Sequence, residues 1–421
     1  MATTGKLKEN KEYALKESKH FCMAPWVTMH AWPSGEAYPC CAIQTQGVMN
    51  GKGMANLHTS SFEEAWNSEV MRNLRKSTLN DKFNPICKKC VESEQTGNIW
   101  TLRTSLNNNF GDKHWERVLA TNEDYTHDDP RMLYWDIRFN NLCNMKCRSC
   151  SPEFSTQWHA DHIEMYGDSG WPMYKGLPKN FWTDILPRIT EVEYAYFAGG
   201  EPLITEEHYK MLQTWIDAKN TDIKIDYTTN FSKMHLGNKH AFDYWNKLPN
   251  VNVGASLDGS WARGEYIRAG TVWQTIVDNR RDMIKECPDT NFFISPTISL
   301  YNVLHLPDFH KEWIEEELIH PDAISLANTL FEPDYMKAQN LPDTWKKQVR
   351  DKYEKHIEYL NTIGAHDTKK WQNIITFVER KRNKPHHVQL FMDMNLRLDK
   401  IRKENFHDTF PELVGIEDAT R

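Results

Sequence analysis

Between positions 133 and 330 the sequence alternates short β-type runs with amphipathic segments, and this rhythm restricts the chain to few architectures. The runs are LYWDIRF (133–139), VEYAYF (192–197), IKIDYTT (223–229), VNVGASL (251–257), FFISPTISL (292–300) and AISLANTL (323–330). LYWDIRF alternates apolar and polar residues, as a half-buried strand does. Amphipathic stretches such as HYKMLQTWIDA (208–218) and TVWQTIVDNRRDMI (271–284) separate the runs. Strands and helices taken in turn build βα units on a parallel sheet. Six units over 131–335 predict an α/β fold, an incomplete (β/α)6 barrel rather than the full eightfold one.

The flanks read differently. Residues 1–120 are rich in Cys, Gly and Pro and hold one clear helix, where a Ser61/Glu64 capping box precedes a stripe of Phe62, Trp66, Val70 and Leu74. The polar stretch TNEDYTHDDP (121–130) reads as a linker. Beyond 335 the strands stop. Asp343 is placed to cap a helix carrying Trp345, Val349, Tyr353, Ile357 and Leu360, and helical patterns also cover 367–382 and 388–404. Residues 336–421 therefore predict a helical extension, whose His386–His387 pair reads as solvated surface rather than a metal site.

Charge and hydropathy exclude some classes. The 51 basic and 58 acidic residues are mixed along the chain for a net charge of −7, so no nucleic-acid partner is expected. No apolar run approaches the roughly 20 residues that span a bilayer, so no membrane partner is expected. The opening MATTGKLKENKEYALKESKH lacks the apolar core of a secretory signal, which leads us to expect a cytoplasmic protein.

The nine cysteines fall as Cys22, the Cys40–Cys41 pair, Cys87 and Cys90, then Cys143, Cys147 and Cys150, with Cys287 alone. Tight Cys-x2-Cys spacing in a reducing compartment favours metal ligation over a disulfide scaffold. Cys143, Cys147 and Cys150 form a Cys-x3-Cys-x2-Cys loop directly after the first strand. In βα barrels the loops that follow strand C-termini build the active site. Three thiolates can hold three irons of a cubane. With no fourth cysteine nearby, the remaining position is open for catalysis. The second strand ends in AGGEP (198–202), where Gly199 and Gly200 admit close approach of a ligand to the backbone. Glu201 can accept hydrogen bonds from an ammonium, although GGEP alone also suits a plain turn.

Taken in this order, the motifs resemble the radical S-adenosylmethionine (radical SAM) superfamily over about 131–330. The resemblance implies a [4Fe–4S] cluster on Cys143, Cys147 and Cys150 whose fourth iron is chelated by SAM. One electron then cleaves the sulfonium to a 5′-deoxyadenosyl radical, which abstracts a substrate hydrogen. It implies that GGEP holds the methionine amino group. TTNFS is similar to the family's Thr-Asn-Gly, with Asn230 retained and Phe231 in place of glycine. Ser256 and Asp258 in SLDGS are implied contacts to the ribose or carboxylate of SAM, and Arg268 in EYIRAG a carboxylate partner. Strand-end turns and a surface arginine are the alternatives. Ser149 stands where the family usually carries an aromatic or large apolar residue.

The N-terminal pattern of Cys22, Gly35-x4-Cys40 and Cys87-x2-Cys90, with FCMAPW, GEAYPCC and EEAWN around it, resembles SPASM/twitch auxiliary-cluster domains. That implies a second [4Fe–4S] cluster on Cys22, Cys40, Cys87 and Cys90, with structural zinc as the alternative for four thiolates. The glycine spacing selects Cys40 over Cys41, and Cys41 and Cys287 read as buried thiols. Two features depart from the family. The module precedes the barrel, and position 96, where a further cysteine would fall, is Thr96, which favours a single-cluster twitch-like module. Peptide-modifying enzymes are the commonest bearers of such modules, so the resemblance implies a peptide or protein side chain as substrate. A small metabolite or sugar is the second reading, and a non-enzymatic protein with zinc at both cysteine groups the third. An electron donor such as flavodoxin or ferredoxin is implied with either of the first two.

Overall fold

The computed structural model describes residues 7–43, 53–95, 101–168, 170, 172–380 and 384–418, and Thr96 lies outside them. The described strands in chain order are β1 (His30–Ala31), β2 (Glu36–Tyr38), β3 (Ala55–Asn56), β4 (Tyr134–Ile137), β5 (Lys146–Cys147), β6 (Tyr194–Phe197), β7 (Lys224–Thr229), β8 (His235–Leu236), β9 (Lys239–His240), β10 (Val251–Ala255), β11 (Arg268–Ala269) and β12 (Asn291–Ile294). The chain passes between two compact units. One holds Met1–Asn140, Lys175–Ala198 and Glu207–Ile225; the other holds Asn141–Tyr174, Gly199–Glu206 and Asp226–Arg421. The protein is a mixed α/β structure with parallel strand pairs.

In the first unit β4 runs parallel to β6, with Tyr134 opposite Tyr194 and Trp135 opposite Ala195. The N-terminal segment joins this sheet, since β1 lies parallel to β4 with His30 opposite Asp136. β2 and β3 follow as antiparallel neighbours. The period-2 pattern of LYWDIRF sorts its side chains onto two faces. Trp135 and Phe139 pack with Trp182 at ring separations of 6.1 and 5.4 Å, while Tyr134 meets Tyr194 edge-on at 5.2 Å.

Two expectations change here. The Ser61/Glu64 capping box forms, but the stripe behind it is split between the helices Phe62–Trp66 and Glu69–Leu79. Buried Arg75 accounts for the break: its guanidinium donates to the Trp66 carbonyl (2.9 Å) and the Asn67 side chain (3.1 Å), satisfying the end of the first helix. The stretch 121–130 is no free linker. Arg117 donates to the Asp129 carboxylate (2.6 Å) and carbonyl (2.8 Å), and Arg75 to the Tyr125 carbonyl (3.2 Å).

In the second unit the part of β7 from Asp226 onward lies beside β10, and β10 is parallel to β12 with Val253 opposite Phe292. The run at 292–300 ends as a strand at Ile294, just before Pro296, whose nitrogen has no hydrogen to give a ladder. The run expected at 323–330 accordingly contributes only two isolated parallel bridges, Ile294 with Ile324 and Ile298 with Thr329. Three helices follow at Asp343–Thr362, Lys369–Glu379 and Pro385–Arg402. Asp343 is the first helical residue rather than the cap; Pro342 takes the cap position without a side-chain bond. Of the histidine pair, His386 is exposed but His387 is buried, so the pair is only half solvated surface.

Candidate functional site

The cysteine triplet lies in the second unit. Cys143, Met145 and Cys147 form a buried apolar cluster with Cys150 packed against it. β5 contains Cys147 and pairs antiparallel with β11, which sets Cys147 opposite Arg268. Arg268 forms an ion pair with Asp258 (2.8 Å) and reaches the Cys147 sulfur at 3.7 Å. The other Asp258 oxygen accepts the Thr297 N–H at 2.7 Å. Burial alone would depress the Arg268 guanidinium; Asp258 and the nearby thiols reverse that and raise it.

The GGEP loop reaches the same region. Gly199 and Gly200 have φ of 84° and 53°, the left-handed conformation that a side chain resists. The Glu201 N–H donates to the Leu142 carbonyl next to Cys143 (2.8 Å). Its carboxylate is fully buried and accepts three hydrogen bonds: from the Thr229 hydroxyl (2.7 Å), the Asn230 N–H (2.7 Å) and the Leu203 N–H (3.1 Å). Burial pushes Glu201 up to about 7 against the pull of those donors. The Asn230 amide donates to Asn144 (2.9 Å) and lies 3.9 Å from the Cys143 sulfur. Phe231 holds φ 57°, a left-handed backbone that glycine adopts without strain. Ser256 contributes its N–H to the Thr229 carbonyl (2.8 Å).

Burial raises all three thiols; repulsion from Cys147 adds to it at Cys143 and at Cys150, which is pushed up to about 12, while at Cys147 the neighbouring Arg268 works against it. Bare thiolates are therefore disfavoured at this site, and a cationic group binding all three would remove the penalty. The donor set suits an iron–sulfur cubane. Sequence reasoning missed Asn144, Arg148 and Gly270. Only Gly270 left a signal: φ of 102° beside Asn144 leaves no room for a Cβ, which would sit 2.9 Å from that residue's carbonyl oxygen.

The N-terminal cysteines lie in the first unit. Cys22, Cys40, Cys87 and Cys90 line one pocket, partly open to solvent, with Ala24, Ile86 and Arg103. Cys41 is not on its wall; its thiol lies beside Asp136. Arg103 donates to the Phe21 carbonyl (2.9 Å) and pairs with Glu94, bracing the segment that carries Cys22. Burial raises these thiols as well, Cys87 to about 12. Among the described residues no three Cys, His, Asp or Glu side chains converge on a point that would hold a single ion. The four thiols face a cavity, a shape that suits a multi-iron cluster. Cys287 is buried, 3.8 Å from the Phe242 carbonyl.

Residues 22–91 match the SPASM family, an iron–sulfur cluster-binding domain. Solved structures similar to this chain include native anSMEcpe with bound AdoMet, at 17% identity over 53% of this chain and 59% of that one, TM-score 0.37. Native anSMEcpe with bound AdoMet and Cp18Cys peptide is similar at 16% identity, with the same coverage and TM-score. Streptococcus suis SuiB bound to S-adenosylmethionine is similar at 13% identity over 74% of this chain and 66% of that one, TM-score 0.34. The matched region spans about three fifths of anSMEcpe. No curated protein matches the sequence.

Proposed function

We propose that this chain, whose residues 22–91 match an iron–sulfur cluster-binding SPASM domain, is a radical SAM enzyme that modifies a peptide or protein side chain. The observation that carries the reading is the meeting of Glu201, Asn230 and Arg268 with the buried Cys143–Cys147–Cys150 loop. Those cysteines would hold a [4Fe–4S] cluster, and with SAM bound it would supply the electron that cleaves the sulfonium to a 5′-deoxyadenosyl radical. The βα rhythm over 131–335 supports a partial (β/α)6 barrel as the frame, with a twitch-like module at 1–120 and a helical extension at 336–421.

The chain's own residues bind and orient. Glu201 takes the methionine ammonium, with its carboxylate aimed by Thr229 and Asn230. Gly199 and Gly200 bring backbone close to the cofactor. Arg268 and Asp258 neutralise each other, and Arg268 balances thiolate charge at Cys147. Ser256 and Asp258 would contact the ribose or carboxylate of SAM. Burial of these groups would exclude water and competing reactants from the bound cofactor. Cys22, Cys40, Cys87 and Cys90 would hold the auxiliary cluster. A small metabolite is the alternative substrate, and flavodoxin or ferredoxin the electron donor. No described helix is long and apolar enough to cross a membrane, and a cytoplasmic setting fits reduced thiols. The test is electron paramagnetic resonance of the reduced triplet cluster: SAM should change its signal in wild-type protein and not in Glu201→Ala. A signal indifferent to SAM in wild type would reject the reading.

A further inference from the structure

We propose that the Pro385–Arg402 helix is a working wall of the Cys143–Cys147–Cys150 site, fixing the ligand loop through both neighbours of Cys147 and covering Cys150 with apolar side chains. The inference rests on the triplet holding a cluster. Arg148 is fully buried and donates to Asn395 (2.9 Å), Asp399 (2.6 Å) and Glu404 (2.6 Å). Its guanidinium also stacks 3.6 Å above the Tyr266 ring, and its N–H donates to the Ile267 carbonyl (2.8 Å). Tyr266 and Tyr301 donate their hydroxyls to Asp399 (2.8 Å) and Asn395 (2.6 Å), holding those acceptors in place.

On the other side of Cys147, Lys146 pairs with Asp161 (2.8 Å), and the second Asp161 oxygen takes Arg402 (2.7 Å). Arg148 is thus tied by charge directly to the Pro385–Arg402 helix, to Asp399 across 251 positions of chain, and Lys146 is tied to it through Asp161 of the Trp158–Tyr166 helix. A buried guanidinium whose two terminal nitrogens are held by separate acceptors is fixed in orientation as well as position.

The same helix supplies cover. Trp158, Met165 and Leu398 form a buried cluster, with Cys150, Met394 and Ile401 packed against it. The Trp158 indole donates to the Cys147 carbonyl (2.6 Å), and Arg402 lies over its ring at 4.8 Å. Ser149, between the last two ligands, offers no apolar surface of its own. Water access and orientation of the ligands govern how firmly a metal site holds its metal, so these contacts act on the cluster through its cysteines. Arg148 is a positioning residue.

The test uses full-length reconstituted protein and follows iron release to a chelator, with the auxiliary cluster as an internal control for folding. Arg148→Gln and Met394→Gln should each speed iron loss from the triplet by roughly tenfold or more, leaving auxiliary iron loss at the wild-type rate. Arg148→Lys, which keeps the charge but not the fork, should recover part of the retention. Wild-type rates in both glutamine variants would overturn the proposal. So would equal acceleration at the two clusters, which marks general loosening. Wild-type protein with no triplet iron would instead reject the cluster reading itself.

Discussion

The Glu201 carboxylate accepts the backbone N–H of Asn230 at 2.7 Å, joining the GGEP loop to the end of β7. The carboxylate is buried, takes three donors and makes no ion pair among the described residues, which is the basis for proposing that it receives the ammonium of SAM.

Glu201 makes both stability and cofactor binding depend on pH. Its folded value is raised from 4.5 to about 7, so the folded state holds the proton longer than the unfolded chain does. The stabilisation is complete below about pH 4.5 and is lost as pH rises through about 7, a change on the order of 3 kcal/mol without SAM. In the proposed role SAM is bound by the ionised form, so its affinity should rise with pH across the same range. Glu201→Gln should flatten both trends in denaturation and calorimetric titrations at pH 5, 6, 7 and 8. Glu201→Ala should weaken SAM binding by roughly tenfold to a hundredfold with triplet iron retained.

Arg268→Ala should destabilise the fold more than a surface arginine would. It leaves the Asp258 carboxylate, 2% exposed, without its partner. Breaking one side of a buried pair costs about 3–5 kcal/mol. Asp258→Asn with Arg268→Gln should recover most of that loss in urea denaturation, because neither partner is then left charged.

Phe231→Gly tests two opposing terms. Glycine relieves the positive φ of 57°, worth about 1–2 kcal/mol. It also removes a fully buried ring that packs 5.0 Å from Phe292, a loss of about 3–5 kcal/mol. Packing wins, and the variant should melt below wild type.

The auxiliary site should fill independently of the triplet. With Cys143, Cys147 and Cys150 all changed to alanine, the protein should remain brown and retain about four irons of about eight. Cys40→Ala should lose auxiliary iron and Cys41→Ala should keep it, since only Cys40 lines the cavity. Stoichiometric zinc in place of iron would reject the auxiliary cluster.

What the sequence made legible is local. The strand before the triplet, the glycines of GGEP and the Thr229–Asn230 pair each sit within a few residues of the feature they serve, so spacing and turn chemistry reveal them. What stayed hidden depends on partners far along the chain. Nothing around Arg148 announces Asn395, Asp399 or Glu404, and nothing in the stripe from Phe62 to Leu74 announces that Arg75 divides it. The sixth run shows a related limit: AISLANTL has strand composition, yet it meets its neighbour in two isolated bridges, Ile294 with Ile324 and Ile298 with Thr329, on either side of Pro296, whose nitrogen has no hydrogen to make the pairing continuous.

The most direct test of the central claim is the product made from SAM. Reconstituted protein reduced with dithionite should convert SAM slowly to 5′-deoxyadenosine and methionine even without substrate. The variant with Cys143, Cys147 and Cys150 changed to alanine should make neither. S-adenosylhomocysteine as the sole product, or equal 5′-deoxyadenosine from wild type and the triple variant, would contradict it.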